Sequence, residues 1–276
     1  PCMLYRFGST TPIAQLLDGW VAGLYLLCGL VVVGATIAFT RNARIRWNDA
    51  SLGALVAAFP NSGFMGVPLI VALLGASAAG TVILTMVVDM VVTSSLCIAL
   101  SRLDEAQGQG RSAVAEATRK ALKGVLTNPM PWAIVLGGLA SAWAFTLPKP
   151  VEQTVWLLAD SASPVALFTI GAVLARAQMT ANHPMPLADY VPVALMKLFV
   201  HPLLVLAVGW LAIHAGAPLA WPTLTVMVLV AALPSASNVS LLAERFGADN
   251  GRIARIILVT TAAAFLTFSG AVALLV

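Results

Sequence analysis

Long apolar runs punctuated by short polar clusters set the layout of this chain. No Asp, Glu, Lys or Arg occurs between Asp49 and Asp89, or between Lys197 and Glu244. Gaps of that length each accommodate two bilayer crossings at about 20 residues apiece. The pattern predicts membrane-spanning helices over 19–39, 52–74, 80–100, 125–146, 153–175, 190–213, 222–243 and 254–275, with residues 1–8 as the tail of an earlier span. The runs are continuous rather than alternating apolar and polar every second residue, which argues against an outer-membrane barrel. The expected class is an all-α polytopic membrane protein.

Composition agrees: 60% of the 276 residues are hydrophobic and only 9% are charged. Glycine (21) and proline (16) are scattered through the apolar stretches, as suits helices that pack closely and break in places. The three cysteines, Cys2, Cys28 and Cys97, are far apart and read as packing residues rather than a metal pair or a disulfide framework. The chain opens on Pro1 inside an apolar segment, so the expectation is a truncated or processed N-terminus without an identifiable signal peptide.

A net charge of +4 would suit nucleic acid in a soluble protein, but the cations lie elsewhere than on a basic face. Of the 15 basic residues, 12 fall in or beside the loops that follow alternate spans: Arg41, Arg44 and Arg46; Arg102, Arg111, Arg119, Lys120 and Lys123; Arg176; and Arg245, Arg252 and Arg255. The positive-inside rule makes these loops cytoplasmic and puts the C-terminus outside, with residues 101–124 as a cytoplasmic linker. In a bacterium that is a multi-pass protein of the inner membrane. Partners are then the bilayer and a small ligand, with no nucleic acid and with a homodimer left open.

One internal match stands out. Ala57-Ala58-Phe59-Pro60-Asn61-Ser62 parallels Ala231-Ala232-Leu233-Pro234-Ser235-Ala236, each inside an apolar run that is followed by a glycine, Gly75 or Gly247, and one further span. A weaker echo pairs Pro1–Leu4 with Pro164–Leu167. If residues 125–276 form a repeat of five spans, residues 1–100 are its partner lacking about one and a half spans at the front. An odd number of spans inverts one repeat relative to the other, as in many secondary transporters. A mid-span proline removes a backbone donor and is tolerated only in protein or beside water. Helices resuming after Pro60 and Pro234 would present their positive ends to an anion. For either proline alone, a packing kink is the simpler explanation.

At these residues the chain resembles the auxin efflux carrier family, which includes bacterial malonate carriers and plant PIN proteins. Phe59-Pro60-Asn61-Ser62-Gly63-Phe64-Met65-Gly66-Val67-Pro68-Leu69 is similar to the family's N-T/S-G-F-x-G-x-P segment. Asn128-Pro129, Ser163–Phe168 with Gly171, and Pro234 through Asn238 to Leu242–Asp249 follow in family order. The resemblance implies ten spans with crossed, proline-broken fourth and ninth helices, an arrangement like that of NhaA and the bile-acid symporters. It also implies transport of small organic anions, with Pro60 and Pro234 at the crossover and Asn61 beside the substrate carboxylate. A charged pair that supports the site in plant members has no counterpart at Ser9, Thr10 or Thr11.

Candidate substrate-binding residues are therefore Asn61, Ser62, Ser235, Ser237 and Asn238, whose amides and hydroxyls suit a carboxylate; the alternative is that they satisfy the broken backbone. Asp89, an acid within a span, is a candidate for proton coupling or for a structural hydrogen bond. Asp160 with Ser161 and Ser163 is expected near the outer mouth or a broken seventh helix. Lys197 and His201 share a helical face, and Lys197 is expected to snorkel to the headgroups. His183 and His214 read as loop or interface residues. No zinc-protease, nucleophile-elbow or phosphate-loop motif is present, so neither an enzyme nor a cofactor is expected. The leading function is a secondary transporter of a small mono- or dicarboxylate; a ligand-binding sensor or assembly subunit is the alternative.

Overall fold

The computed structural model describes residues 1–11, 17–103, 129–180 and 185–276. Most of the expected 101–124 linker, along with Asn128, Arg176's side chain and His183, lies outside the described residues. The described helices are α1 (Cys2–Thr10), α2 (Gly19–Thr40), α3 (Trp47–Ala58), α4 (Ser62–Leu74), α5 (Ala76–Ser101), α6 (Pro129–Ala142), α7 (Lys149–Thr180), α8 (Val191–His214), α9 (Trp221–Ala232), α10 (Val239–Arg245) and α11 (Asn250–Leu275). Of these, α2, α5, α8 and α11 are long and apolar enough to cross a membrane.

The expected spans 52–74 and 222–243 are each two helices rather than one. At about 1.5 Å per residue, the 12-residue α3 and α9 rise only about 18 Å, well short of a 30 Å hydrocarbon core. Their sequences explain why they are half-helices of the interior. Residues 50–62 and 224–237 are buried without interruption, so neither helix needs an amphipathic stripe. Each descending arm ends at a matched glycine in the left-handed region, Gly75 at φ +88° and Gly247 at φ +69°, where a side chain would be strained.

The helices fall into two packed groups. In the larger, α2, α5, α8 and α11 surround the two half-helices α3 and α9, with α4 and α10 at the breaks. Polar joints tie the starts of α3, α8 and α11 together. The Arg252 guanidinium donates to the Asp49 and Asp189 carbonyls at 2.8 and 2.7 Å, and the Asp249 amide donates to the Asp49 carboxylate at 2.7 Å. The Asp18 and Asp249 carboxylates cap the starts of α2 and α11.

The smaller group is α1 with α6 and α7; it is continuous with the larger one, since α7 packs along α11 and Leu4, Ala133 and Ile134 join the core of α2, α5 and α9. Here Gly8 and Gly137 let two backbones touch: a Cβ on Gly137 would lie 2.9 Å from the Ser9 amide nitrogen and 3.0 Å from Gly8 Cα. Arg6 pairs with Asp160 at 2.6 Å across α1 and α7, in an exposed setting. Asp160 thus serves an interhelix ion pair. The seventh helix is not broken, because α7 continues as a helix through Pro164. A single proline removes one donor and bends a helix without ending it when the flanking turns remain intact.

Because backbone cannot yield as a flexible side chain can, Gly137→Ala is expected to overpack the α1–α6 contact. The expected loss is about 1–3 kcal/mol of stability, read as a lower thermal midpoint in detergent; an unchanged midpoint would show that α1 and α6 do not depend on close backbone contact at Gly137.

Candidate functional site

The two proline breaks meet. The chain leaves α3 and α9 in extended conformation at Phe59 and Leu233, and residues 59–61 pair antiparallel with residues 234–236, Pro60 bridged to Ser235. The Asn61 amide donates to the Pro234 carbonyl at 2.8 Å, and the Ala236 amide donates to the Phe59 carbonyl at 2.9 Å. Each break thereby satisfies the other. Where Pro60 and Pro234 have no N–H to offer, the Asn61 and Ala236 amides supply the donors across the joint, and the opposite strand supplies the acceptors. Thr260 of α11 completes the set by accepting the Ser235 amide at 3.2 Å through its hydroxyl, which itself donates to the Ile256 and Ile257 carbonyls.

This geometry corrects one local expectation. Neither proline sits in the first turn of a resumed helix. Helix resumes at Ser62 as a π-helical turn through Gly66, and only at Val239 in the second half, after a turn over residues 235–238. Extended pairing wins because it partners four backbone groups that two immediate helix starts would leave facing each other. The opposed helix ends are also unequal, since α10 has only seven residues.

Beside the crossed segments lies a cavity of about 440 Å³, within the range of small-molecule sites. The crossover contributes Pro60, Asn61, Ser237 and Asn238 to its wall, α5 contributes Met86 and Met90, and α1 and α7 close the opposite side with Met3, Leu158 and Val165 among others. The cavity thus lies between the two helix groups. Asn61, Ser237 and Asn238 stand together there, whereas Ser62 and Ser235 are fully buried outside its wall, their hydroxyls without hydrogen-bond partners. Around the polar groups the wall is apolar, with Phe59, Phe64 and Leu241 as well as the methionines.

A second polar cluster lies in the interior of the larger group. Asp89 is fully buried; its carboxylate accepts from the Tyr25 hydroxyl at 3.3 Å and from the Thr93 hydroxyl at 3.1 Å. Lys197, expected to snorkel, is instead 0% exposed. Its ammonium donates to the Ala231 carbonyl at 2.8 Å and lies 3.2 Å from His201 Nδ1. The shared face of Lys197 and His201 is real, but α2, α5 and α9 close over it, so the ammonium meets a carbonyl before it could reach a headgroup. His201 is also buried, with its ring 5.8 Å from that of Tyr25, while His214 is exposed at the end of α8. Asp89 and Lys197 each sit in a π-helical turn, residues 89–93 and 196–200.

Two half-helices that break against one another beside a polar-lined cavity, within a bundle of apolar spans, define a multi-pass membrane protein organised around a buried crossover. The chain belongs to the Membrane transport protein family, the auxin efflux carrier family, whose profile matches residues 1–272. It is similar to a protein of Rhizobium meliloti (strain 1021) named "Putative malonate transporter", with 26% identity over 273 residues, 98% of this chain and 81% of the relative. It is also similar to the "Uncharacterized transporter YfdV" of Escherichia coli (strain K12), with 28% identity over 199 residues, 72% of this chain and 59% of the relative. A protein of that name in Shigella flexneri matches to the same extent.

Replacing Thr260 by its near-isostere valine, Thr260→Val, strips the Ser235 amide of its acceptor at a dry position. A stability loss of about 1–3 kcal/mol is expected, measured as a shift in the thermal or denaturant midpoint. No shift would show that the second break does not depend on α11.

Proposed function

We propose that the protein is a secondary transporter that carries a small organic mono- or dicarboxylate across the membrane by alternating access at the crossover. The observation that carries this reading is the placement of Asn61, Ser237 and Asn238 on a cavity wall made by two mutually paired helix breaks and facing α1 and α7. A carboxylate there would accept hydrogen bonds from the Asn61 and Asn238 amides and the Ser237 hydroxyl. Relative movement of the groups would expose the cavity to one side and then the other. Ser62 and Ser235 would act from behind, as buried hydroxyls of the crossed segments.

The inverted-repeat reading, residues 1–100 against 125–276, rests on the matched proline segments, the matched glycines and the loop charges. The same charges support cytoplasmic basic loops and a C-terminus on the outer side. The bacterial relatives support the inner membrane as the location, and the name of one of them supports malonate as a first substrate to try. Asp89 is the proposed proton-coupling group. The other titratable side chains at or near it are Tyr25, Cys28, Cys97, Lys197 and His201.

Uptake of labelled malonate, malate and monocarboxylates into proteoliposomes, at imposed potentials and pH gradients, tests the proposal. Saturable uptake of at least one anion is expected. Binding of the same anions with no uptake would favour a sensor or assembly subunit instead.

For Asn61→Ala, loss of a charge-assisted hydrogen bond is expected to weaken anion binding by about 1.5–3 kcal/mol while the protein stays folded. Unchanged affinity in a well-folded variant would remove Asn61 from the site. Asp89→Asn is expected to abolish the dependence of uptake on a pH gradient, and an identical pH profile would leave Asp89 structural.

A further inference from the structure

An ammonium in the middle of a membrane bundle is costly unless something there requires it. Lys197 is directed at the end of α9. Ala231 lies in the last turn of that helix, three residues before Pro234, where the final carbonyls have no intrahelical donors because the chain turns extended and the proline lacks an N–H. The Leu233 amide reaches back only to the Val230 carbonyl at 3.2 Å. The Lys197 ammonium takes the Ala231 carbonyl at 2.8 Å, placing a positive charge at the negative end of the half-helix. In the first half, α3 ends differently, with the Phe59 amide donating to Leu55 at 2.8 Å in ordinary helical fashion.

The helices that carry the charges are deformed where they do so. The π-helical turn at 196–200 contains Lys197, and the one at 89–93 begins at Asp89. Single π turns within α-helices are frequent at functional positions. Asp89 and Lys197 interact electrostatically, and Tyr25 joins their surroundings by donating to Asp89 and stacking at a tilt on His201. Facing this pair are Tyr25 and Cys28 from α2, Cys97 from α5 and His201 from α8, while α9 presents its Ala231 carbonyl. Asp89 adjoins Met90, which lines the cavity, so Asp89 and the cavity share α5.

We propose that Lys197 is a positioning residue of the crossover: its ammonium, compensated by Asp89, holds the carbonyl end of α9 and thereby fixes residues 233–236 against residues 59–61. Its effect on transport rests on the carrier reading given above, but the positioning itself is measurable without any substrate.

The test uses Ser237→Cys in a Cys2→Ser background, reconstituted in lipid nanodiscs, with the rate of maleimide labelling of the introduced thiol as the readout. Ser237 is on the cavity wall yet only 5% exposed, so labelling of the parent is expected to be slow. Lys197→Arg keeps charge and donor, Lys197→Gln keeps a donor alone, and Lys197→Met keeps neither. Labelling is expected within about twofold of the parent for the arginine variant, at least tenfold faster for the methionine variant and between the two for glutamine, following the graded loss of a charged donor. Because Lys197→Met strands Asp89, the double variant Lys197→Met/Asp89→Asn is included. Its thermal midpoint is expected to recover towards the parent while labelling stays fast. Recovery of both together would reduce Lys197 to a counter-charge and overturn the proposal, as would equal labelling rates across the arginine, glutamine and methionine variants. Absent uptake, by the protein with Ser237 intact, of every carboxylate tried would count against the carrier reading and leave these rates as the measure of positioning.

Discussion

Inside a membrane bundle a broken helix has no water to fall back on, so each break must find its backbone partners in protein. Here two breaks find them in one another. The pairing of Asn61 with Pro234 and of Ala236 with Phe59 converts two local faults into one antiparallel joint. The rest of the larger helix group follows from keeping that joint dry and partnered. The half-helices are buried on every side over residues 50–58 and 224–232, Thr260 takes the amide left over at Ser235, and Lys197 takes the carbonyl at the end of α9.

The joint also explains why polar side chains collect where they do. The joint ends in two turns, a π-helical one from Ser62 and a tight one at residues 237–238, and the residues beside them divide between cavity and interior. Asn61, Ser237 and Asn238 reach the cavity, while Ser62 and Ser235 remain in the packed interior. Hydroxyls without partners at 62 and 235 are unusual for a dry site and mark the crossover as polar beyond what backbone pairing needs. Across the cavity, α1 and α7 offer mainly apolar walls and are joined by the Arg6–Asp160 pair, while the Gly8–Gly137 contact holds α1 to α6. A polar joint facing an apolar partner surface is an arrangement in which one helix group can shift without leaving polar groups stranded on the other.

Much of this was readable from residues. Prolines at 60 and 234, each after two alanines and an apolar residue and each in a charge-free run, mark two breaks at equivalent places. Asp89 stands out as a lone acid in an apolar span. The register of the joint was not readable, because which residue faces Pro60 depends on how two segments about 170 positions apart cross, and no periodicity records that. Lys197 was misread for a related reason. A lysine near the end of an apolar run has the same local sequence whether its tip reaches headgroups or a carbonyl, and only the packing of α2, α5 and α9 decides. The π-helical turns leave no trace in hydropathy, and the Arg6–Asp160 pair joins residues 154 positions apart.

Tracer counterflow tests the central claim most directly. Proteoliposomes preloaded with an unlabelled carboxylate are diluted into a trace of the same labelled anion, with no imposed potential or pH gradient. A carrier whose crossover site alternates between the two sides should show transient accumulation of label above equilibrium, lost with Asn61→Ala at the same trace concentration. Simple equilibration, or no entry of label for an anion that the protein demonstrably binds, would contradict the account.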